Sequence, residues 1–103
     1  RQSSLTDAGK AVLDEVARGL QKVVRIQRVR IAVHTSGAGN RAQELELSNA
    51  RSRVVKGYLI SQGIDGKRLQ ARGYGKDKPM GPGLTARAKA RNERIEFVIL
   101  KKR

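Results

Sequence analysis

The chain has 103 residues, a length that fits a single domain. It contains no cysteine, and this absence excludes disulfides, thiolate catalysis and zinc–cysteine sites. Its apolar share of 38% permits a packed core, and no apolar run approaches the roughly 18 residues that a membrane-spanning helix needs. The 23 Lys and Arg against nine Asp and Glu give a formal charge of +14, which indicates polyanionic partners such as acidic cell-wall polymer, anionic lipid or nucleic acid.

The first two predicted elements are a helix and a strand. Thr6 fits an N-cap, and apolar residues at four-residue spacing then predict a helix over residues 7–23. Its predicted inner face carries Ala8, Val12, Val16 and Leu20, with Leu5 and Leu13 beside them. Residues 24–33 are rich in Val and Ile and predict a strand. Its apolar face is Val29, Ile31 and Val33, and its other face is basic through Arg28 and Arg30.

A loop over residues 34–40 leads into a second predicted helix, over residues 42–62. Its predicted inner face is Leu47, Ala50, Val54 and Tyr58, with Val55 and Leu59 beside it. Gly63 followed by the apolar Ile64 fits a left-handed helix stop. His34, the only histidine, has neither a second histidine nor a serine nucleophile motif near it, so we interpret it as a residue that fixes the loop.

The rest of the chain adds two strands. Residues 69–74 predict the second strand, the Gly- and Pro-rich residues 75–84 a loop, and residues 85–91 a short helix. Residues 95–100 predict a third strand with Ile95, Phe97 and Ile99 on one face, and residues 101–103 a solvated tail. Two strands joined through a helix form a crossover unit. We therefore expect an α/β (α+β) sandwich with two long helices on one face of a small sheet.

Short motifs in a fixed order carry a resemblance to a known family. They are Val33-His34-Thr35, Leu47-Ser48-Asn49-Ala50-Arg51, Gly63-Ile64, Arg68-Leu69, Gly73-Tyr74-Gly75 with Pro79, and the run from Arg91 to Phe97. Together they resemble the OmpA-like C-terminal domain, which includes peptidoglycan-associated lipoproteins and the periplasmic part of MotB-type stators. The resemblance implies a small mixed sheet and one domain over residues 1–103. It also implies that the chain is the C-terminal part of a longer envelope protein and lacks the family's usual first strand.

The resemblance also implies a function. The family's domain is a non-catalytic module, without a cofactor, that binds the diaminopimelate of the peptidoglycan stem peptide in the periplasm or at the outer membrane of Gram-negative bacteria. In the family, an Asp after the His-Thr pair faces the ammonium group of diaminopimelate, and the Arg of L-S-x-x-R binds its carboxylate. Carried onto this chain, the implied ligand-binding residues are Thr35, Ser36, Gly37, Glu44, Arg51, Asn92, Glu93 and Arg94.

Three of these positions depart from the family's pattern. Ser36 replaces the Asp, Glu44 replaces an Asn, and Glu93 replaces the first Arg of N-R-R. A second hypothesis is therefore the same fold with a degenerate pocket that serves contacts between envelope proteins. A third hypothesis is nonspecific nucleic-acid binding through the high positive charge. It is weaker than the other two, because two Tyr and one Phe are too few for a platform on which bases stack. The missing strand also predicts an open sheet edge and self-association.

Overall fold

The structure is a computed structural model that describes residues 5, 7–35, 37, 39–77 and 94–103. Its elements in chain order are helix α1 (Asp7–Lys22), strand β1 (Ile26–His34), helix α2 (Arg41–Ser61), strand β2 (Leu69–Gly75) and strand β3 (Arg94–Lys102), with one 3₁₀ turn (Gly66–Arg68) before β2. The strand order is β2-β1-β3, and β1 runs parallel to β2 and antiparallel to β3. The predicted sandwich with a small mixed sheet is confirmed.

The core lies between the sheet and the two helices, on one side of the sheet. Val29, Ile31 and Val33 of β1 are buried there, as their alternation predicts, and they cluster with Leu69 of β2 and residues of both helices. The opposite face of β1 also carries a buried residue, Ala32. The predictions made for Thr6 and for residues 78–91 lie outside the described residues.

The predicted inner face of α1 is correct for Leu20, for the half-buried Val16 and for Leu13 beside them, but wrong for its first two residues. The buried residues are Leu13, Ala17 and Leu20, whereas Ala8 and Val12 are exposed. Each four-residue step along a helix of 3.6 residues per turn rotates the side chain by about 40°, so a row of such steps turns away from the core within three steps. Residues spaced alternately three and four apart stay on one face of a helix. Leu13, Ala17 and Leu20 have this spacing.

The predicted inner face of α2 is wrong in its first half. Ser48 and Ser52 are buried there, while Leu47, Ala50 and Val54 are only half-buried. The cause is β2, whose Gly73 lies so close to α2 that an added Cβ would be 2.3 Å from the backbone nitrogen of Asn49. A side chain at position 73 would therefore overlap the backbone of α2.

Two hydrogen bonds hold this close contact between β2 and α2. The backbone N–H of Gly73 donates to Asn49 Oδ1 at 2.8 Å, and that of Gly75 donates to Ser48 Oγ, also at 2.8 Å. Gly75 has a φ of +58°, a value that side chains other than glycine rarely adopt. The small residues of the G-Y-G and L-S-N motifs therefore fix the position of α2 over the sheet.

The end of α2 follows the prediction. Gly63 has a φ of +98°, and its N–H donates to the carbonyl of Ile60 at 3.0 Å. The N–H of Ile64 donates to the carbonyl of Leu59 at 3.1 Å, and the side chain of Ile64 is buried. This pair of bonds is the Schellman motif, in which an apolar residue after the glycine closes the last turn.

Strand β3 is longer than predicted and lies at an edge of the sheet. Lys101 and Lys102, predicted as a solvated tail, belong to β3 and pair with Arg28 and Ile26 of β1. Large apolar side chains of β3 remain exposed on both of its faces: Ile95, Val98, Ile99 and Leu100. No described residue pairs with its outer edge, so the open edge that the sequence predicts is present in the described part of the chain. None of the described helices is both long and apolar enough to span a membrane.

The close contact at Gly73 predicts a large effect of a single methyl group. We expect Gly73→Ala to lower the free energy of unfolding by about 1–3 kcal/mol or more, because the Cβ overlaps the backbone of α2. Gly57→Ala is the matched control: nothing lies within 4 Å of its Cβ, and alanine favours the helix by up to about 1 kcal/mol. Urea denaturation of the three proteins measures both changes. Equal stability of the Gly73→Ala protein and the parent would contradict the packing.

The outer edge of β3 predicts self-association. Exposed backbone groups beside apolar side chains pair readily with another strand. We expect the protein to form dimers or larger species at high concentration, and Val98→Lys to reduce them, because a charge on an edge strand opposes pairing. Sedimentation velocity over a concentration series measures the distribution. A parent protein that stays monomeric throughout would show that this edge does not associate.

Candidate functional site

The candidate site lies where β1 ends and the chain turns toward α2. We call residues 35–39 the site loop. The N–H of Thr35 donates to the carbonyl of Gly75 at 2.8 Å, so the loop leaves the sheet next to the end of β2. Thr35 is 1% exposed, and its buried hydroxyl has no hydrogen-bond partner among the described residues. An unsatisfied buried hydroxyl costs about 1–3 kcal/mol, and such costs concentrate at functional positions.

The first turn of α2 is fixed by a capping box. Asn40 Oδ1 accepts from the N–H of Gln43 at 2.9 Å, and Gln43 Oε1 accepts from the N–H of Asn40 at 3.0 Å. Arg41 Nε donates to Asp77 Oδ1 at 2.9 Å, which ties this turn to the chain after β2. That hydrogen bond and the charge of Asp77 raise the pKa of Arg41 above its ordinary value. The site loop is therefore anchored at its α2 end by side chains as well as by the helix.

Glu44 lies beneath the site loop. Its side chain is 3% exposed, and Oε1 accepts from the N–H of Gly37 at 3.0 Å. Gly39 passes so close that an added Cβ would be 2.7 Å from Glu44 Oε2. A carboxylate in the first turn of a helix is also favoured by the helix dipole. The site thus contains a buried carboxyl group, and two glycines of the loop allow the backbone to approach it closely.

A second polar cluster adjoins the site on the sheet. His34 is 4% exposed, and its ring stacks on that of Tyr74 with centroids 5.0 Å apart and an interplanar angle of 6°. His34 Nε2 lies 2.8 Å from Glu96 Oε1, and Arg94 Nη2 lies 3.3 Å from the same oxygen. These contacts hold His34 between β2 and β3, directly before the site loop begins at Thr35. This agrees with the interpretation of His34 as a residue that fixes the loop.

The structure brings several of the predicted site residues together. Thr35, Gly37 and Glu44 meet at the site loop, and Arg94 pairs with His34 across β1 and β3. Arg51 is half-buried on α2, seven residues after Glu44 and hence on the same side of the helix. The other predicted site residues, Ser36, Asn92 and Glu93, lie outside the described residues.

Sequence reasoning missed the residues that support the site. The sequence marks Ser48 and Asn49 only as part of a motif, because their bonds to β2 depend on the glycines opposite them in the fold. Glu96 lies far from His34 in sequence, and only the register of β1 and β3 brings the two side chains together. In the described part of the chain, no group of three or more His, Cys, Asp or Glu could hold a metal ion.

The comparisons with known proteins agree with this fold. The chain is 34% identical to outer membrane protein A of Bordetella avium over 96% of this chain and 50% of that protein. It is 31% identical to peptidoglycan-binding protein ArfA of Mycobacterium tuberculosis over 94% of this chain and 29% of that one. The chain therefore spans half or less of these curated relatives.

A solved structure and a family model also match this chain. The crystal structure of the peptidoglycan-associated lipoprotein from Burkholderia pseudomallei superposes with a TM-score of 0.83 at 26% identity, covering 94% of this chain and 81% of that one. The family model described as the OmpA family matches residues 1–93. Because this match covers most of the chain and the fold agrees with it, the chain belongs to the OmpA family.

Proposed function

We propose that this domain binds peptidoglycan without catalysing a reaction, and that it recognises the diaminopimelate of the stem peptide at the site loop. Membership of the OmpA family and the similarity to ArfA, which is named a peptidoglycan-binding protein, support the polymer as the partner. The chain is an outer-membrane or periplasmic protein of a Gram-negative bacterium, as the sequence predicts, and one relative is named outer membrane protein A. The site loop is then a place where the chain meets the cell wall.

The observation that carries this proposal is that two residues of opposite charge, Glu44 and Arg51, lie on one side of α2. Glu44 lies buried below the site loop, and Arg51 follows it at seven residues, about 10 Å along the helix axis. Side chains on a helix lean toward its N-terminus, so a long arginine reaches back along that side. Diaminopimelate presents an ammonium and a carboxylate together. A carboxylate and a guanidinium on one helix face match a ligand of that kind.

Ser36 limits how well the ammonium group is bound. Its hydroxyl is neutral, and charge-assisted hydrogen bonds are about twice as strong as neutral ones. A serine in place of an aspartate therefore costs about 1 kcal/mol or more, which corresponds to roughly five- to tenfold in affinity. Glu44 supplies a negative charge to the same site from the helix side. Its contact with Gly37 supports this role, because that contact keeps the carboxylate directly under the loop.

Two substitutions test the proposed site. We expect Ser36→Asp to strengthen binding of a diaminopimelate-containing muropeptide by roughly five- to tenfold, because it adds a charged partner for the ammonium. We expect Arg51→Ala to abolish measurable binding, because it removes the partner of the carboxylate. Isothermal titration calorimetry with the purified muropeptide measures both affinities. Arg53→Ala is the matched control, since Arg53 is exposed on another side of α2, and it leaves binding unchanged.

A conservative substitution and a polymer assay make the result decisive. Glu44→Gln keeps an oxygen that accepts from the Gly37 N–H but removes the charge, so it weakens binding without releasing the loop. We expect purified sacculi to retain the parent protein at low salt. If sacculi do not retain it, the peptidoglycan proposal is wrong. If sacculi retain it while Ser36→Asp and Arg51→Ala change nothing, the polymer is bound elsewhere, and the loop is free to serve contacts between envelope proteins.

A further inference from the structure

Six exposed basic residues lie together at the end of the sheet opposite the site loop. β1 and β3 are antiparallel, so the start of β1 adjoins the end of β3: Arg28 pairs with Lys101, and Ile26 pairs with Lys102. One further bond extends this pairing, since the N–H of Arg103 donates to the carbonyl of Arg25 at 2.7 Å. We call this cluster the basic pole, and its members are Lys22, Arg25, Arg28, Lys101, Lys102 and Arg103.

The basic pole carries charge that no described acid pairs with. None of its six side chains has an ion-pair partner within the described ranges. Two acids at the other end of the sheet do have basic partners. Asp77 pairs with Arg41, and Glu96 lies beside His34 and Arg94. Like charges held this close by strand pairing repel each other, so the pole is stabilised by any anionic surface that meets it.

Exposed apolar side chains adjoin the same charges. Val23 and Val24 form the turn between α1 and β1, next to Lys22 and Arg25, and Val24 is 62% exposed. Leu100 of β3 directly precedes Lys101 and is also exposed. A surface that mixes lysine and arginine with aliphatic side chains matches the interface of a bilayer, where the charges meet phosphate headgroups and the apolar groups enter the acyl boundary.

We propose that the basic pole docks on the surface of a bilayer rich in anionic phospholipid. Charge complementarity and the neighbouring valines favour this partner over nucleic acid, whose bases stack on aromatic side chains that the pole does not contain. β1 separates the pole from the site loop by roughly 26 Å of extended chain. The domain can therefore contact a membrane at one end and another partner at the other. This inference does not depend on what the site loop binds.

Vesicle binding tests the proposal with the full chain. We expect binding to vesicles of phosphatidylglycerol and phosphatidylcholine, and none to pure phosphatidylcholine, in a co-sedimentation assay. Each basic residue near an anionic bilayer contributes about fivefold in affinity. The triple variant R25Q/K101Q/K102Q therefore loses on the order of 100-fold. The control K10Q/R53Q/K56Q removes the same charge from the two helices and loses less than about threefold. Equal losses in the two variants would show attraction by net charge alone and would overturn the proposal.

A further variant separates a bilayer from other polyanions. Val24→Ser leaves every charge in place at an exposed position, so it does not affect folding. We expect it to weaken vesicle binding several-fold at a salt concentration that screens the charges, and to leave binding to duplex DNA unchanged. Tight DNA binding that the triple variant abolishes, combined with no binding to anionic vesicles, would make nucleic acid the partner and would contradict the membrane proposal.

Discussion

The close approach of α2 to β2 is the contact on which the rest of the structure depends. It needs Gly73 and Gly75 on the strand and Ser48 and Asn49 on the helix, because any larger set would separate the backbones. The contact fixes both the height and the rotation of α2 over the sheet. The rotation decides which side chains face the end of β1, so it places Glu44 beneath the site loop and Arg51 on the same side of the helix.

The strand arrangement divides the charge of the chain between two ends of the sheet. At the end of β1, acidic side chains are engaged: Glu44 with the site loop, and Glu96 with His34 and Arg94. At the start of β1, the register with β3 gathers basic side chains that form no ion pair with any described acid. A formal charge of +14 is therefore not spread evenly, and each end of the sheet suits a different kind of partner.

Sequence reasoning succeeds here where one local signal decides the outcome. The alternation of β1 gave its core face, and Gly63 with Ile64 gave the end of α2, because both depend on neighbouring residues only. Sequence reasoning fails where the burial or the secondary structure of a residue depends on an element that is distant in the chain. The burial of Ser48 depends on Gly73, which is 25 residues away in the chain. Likewise, Lys101 is part of a strand only because Arg28 pairs with it. The motifs of the family indicated the site loop, but the position of Glu44 under Gly37 required the fold.

Nuclear magnetic resonance of the isotope-labelled chain tests the central claim most directly. A titration with a diaminopimelate-containing muropeptide should shift the backbone amide signals of Thr35, Gly37 and Gly39, and the side-chain signal of Arg51. The amide signals of Arg25 and Lys101, at the far end of the sheet, should stay in place. Saturable shifts confined to the site loop and α2 are the result that this account predicts. Shifts confined to the far end, or no shifts at millimolar ligand, would contradict it.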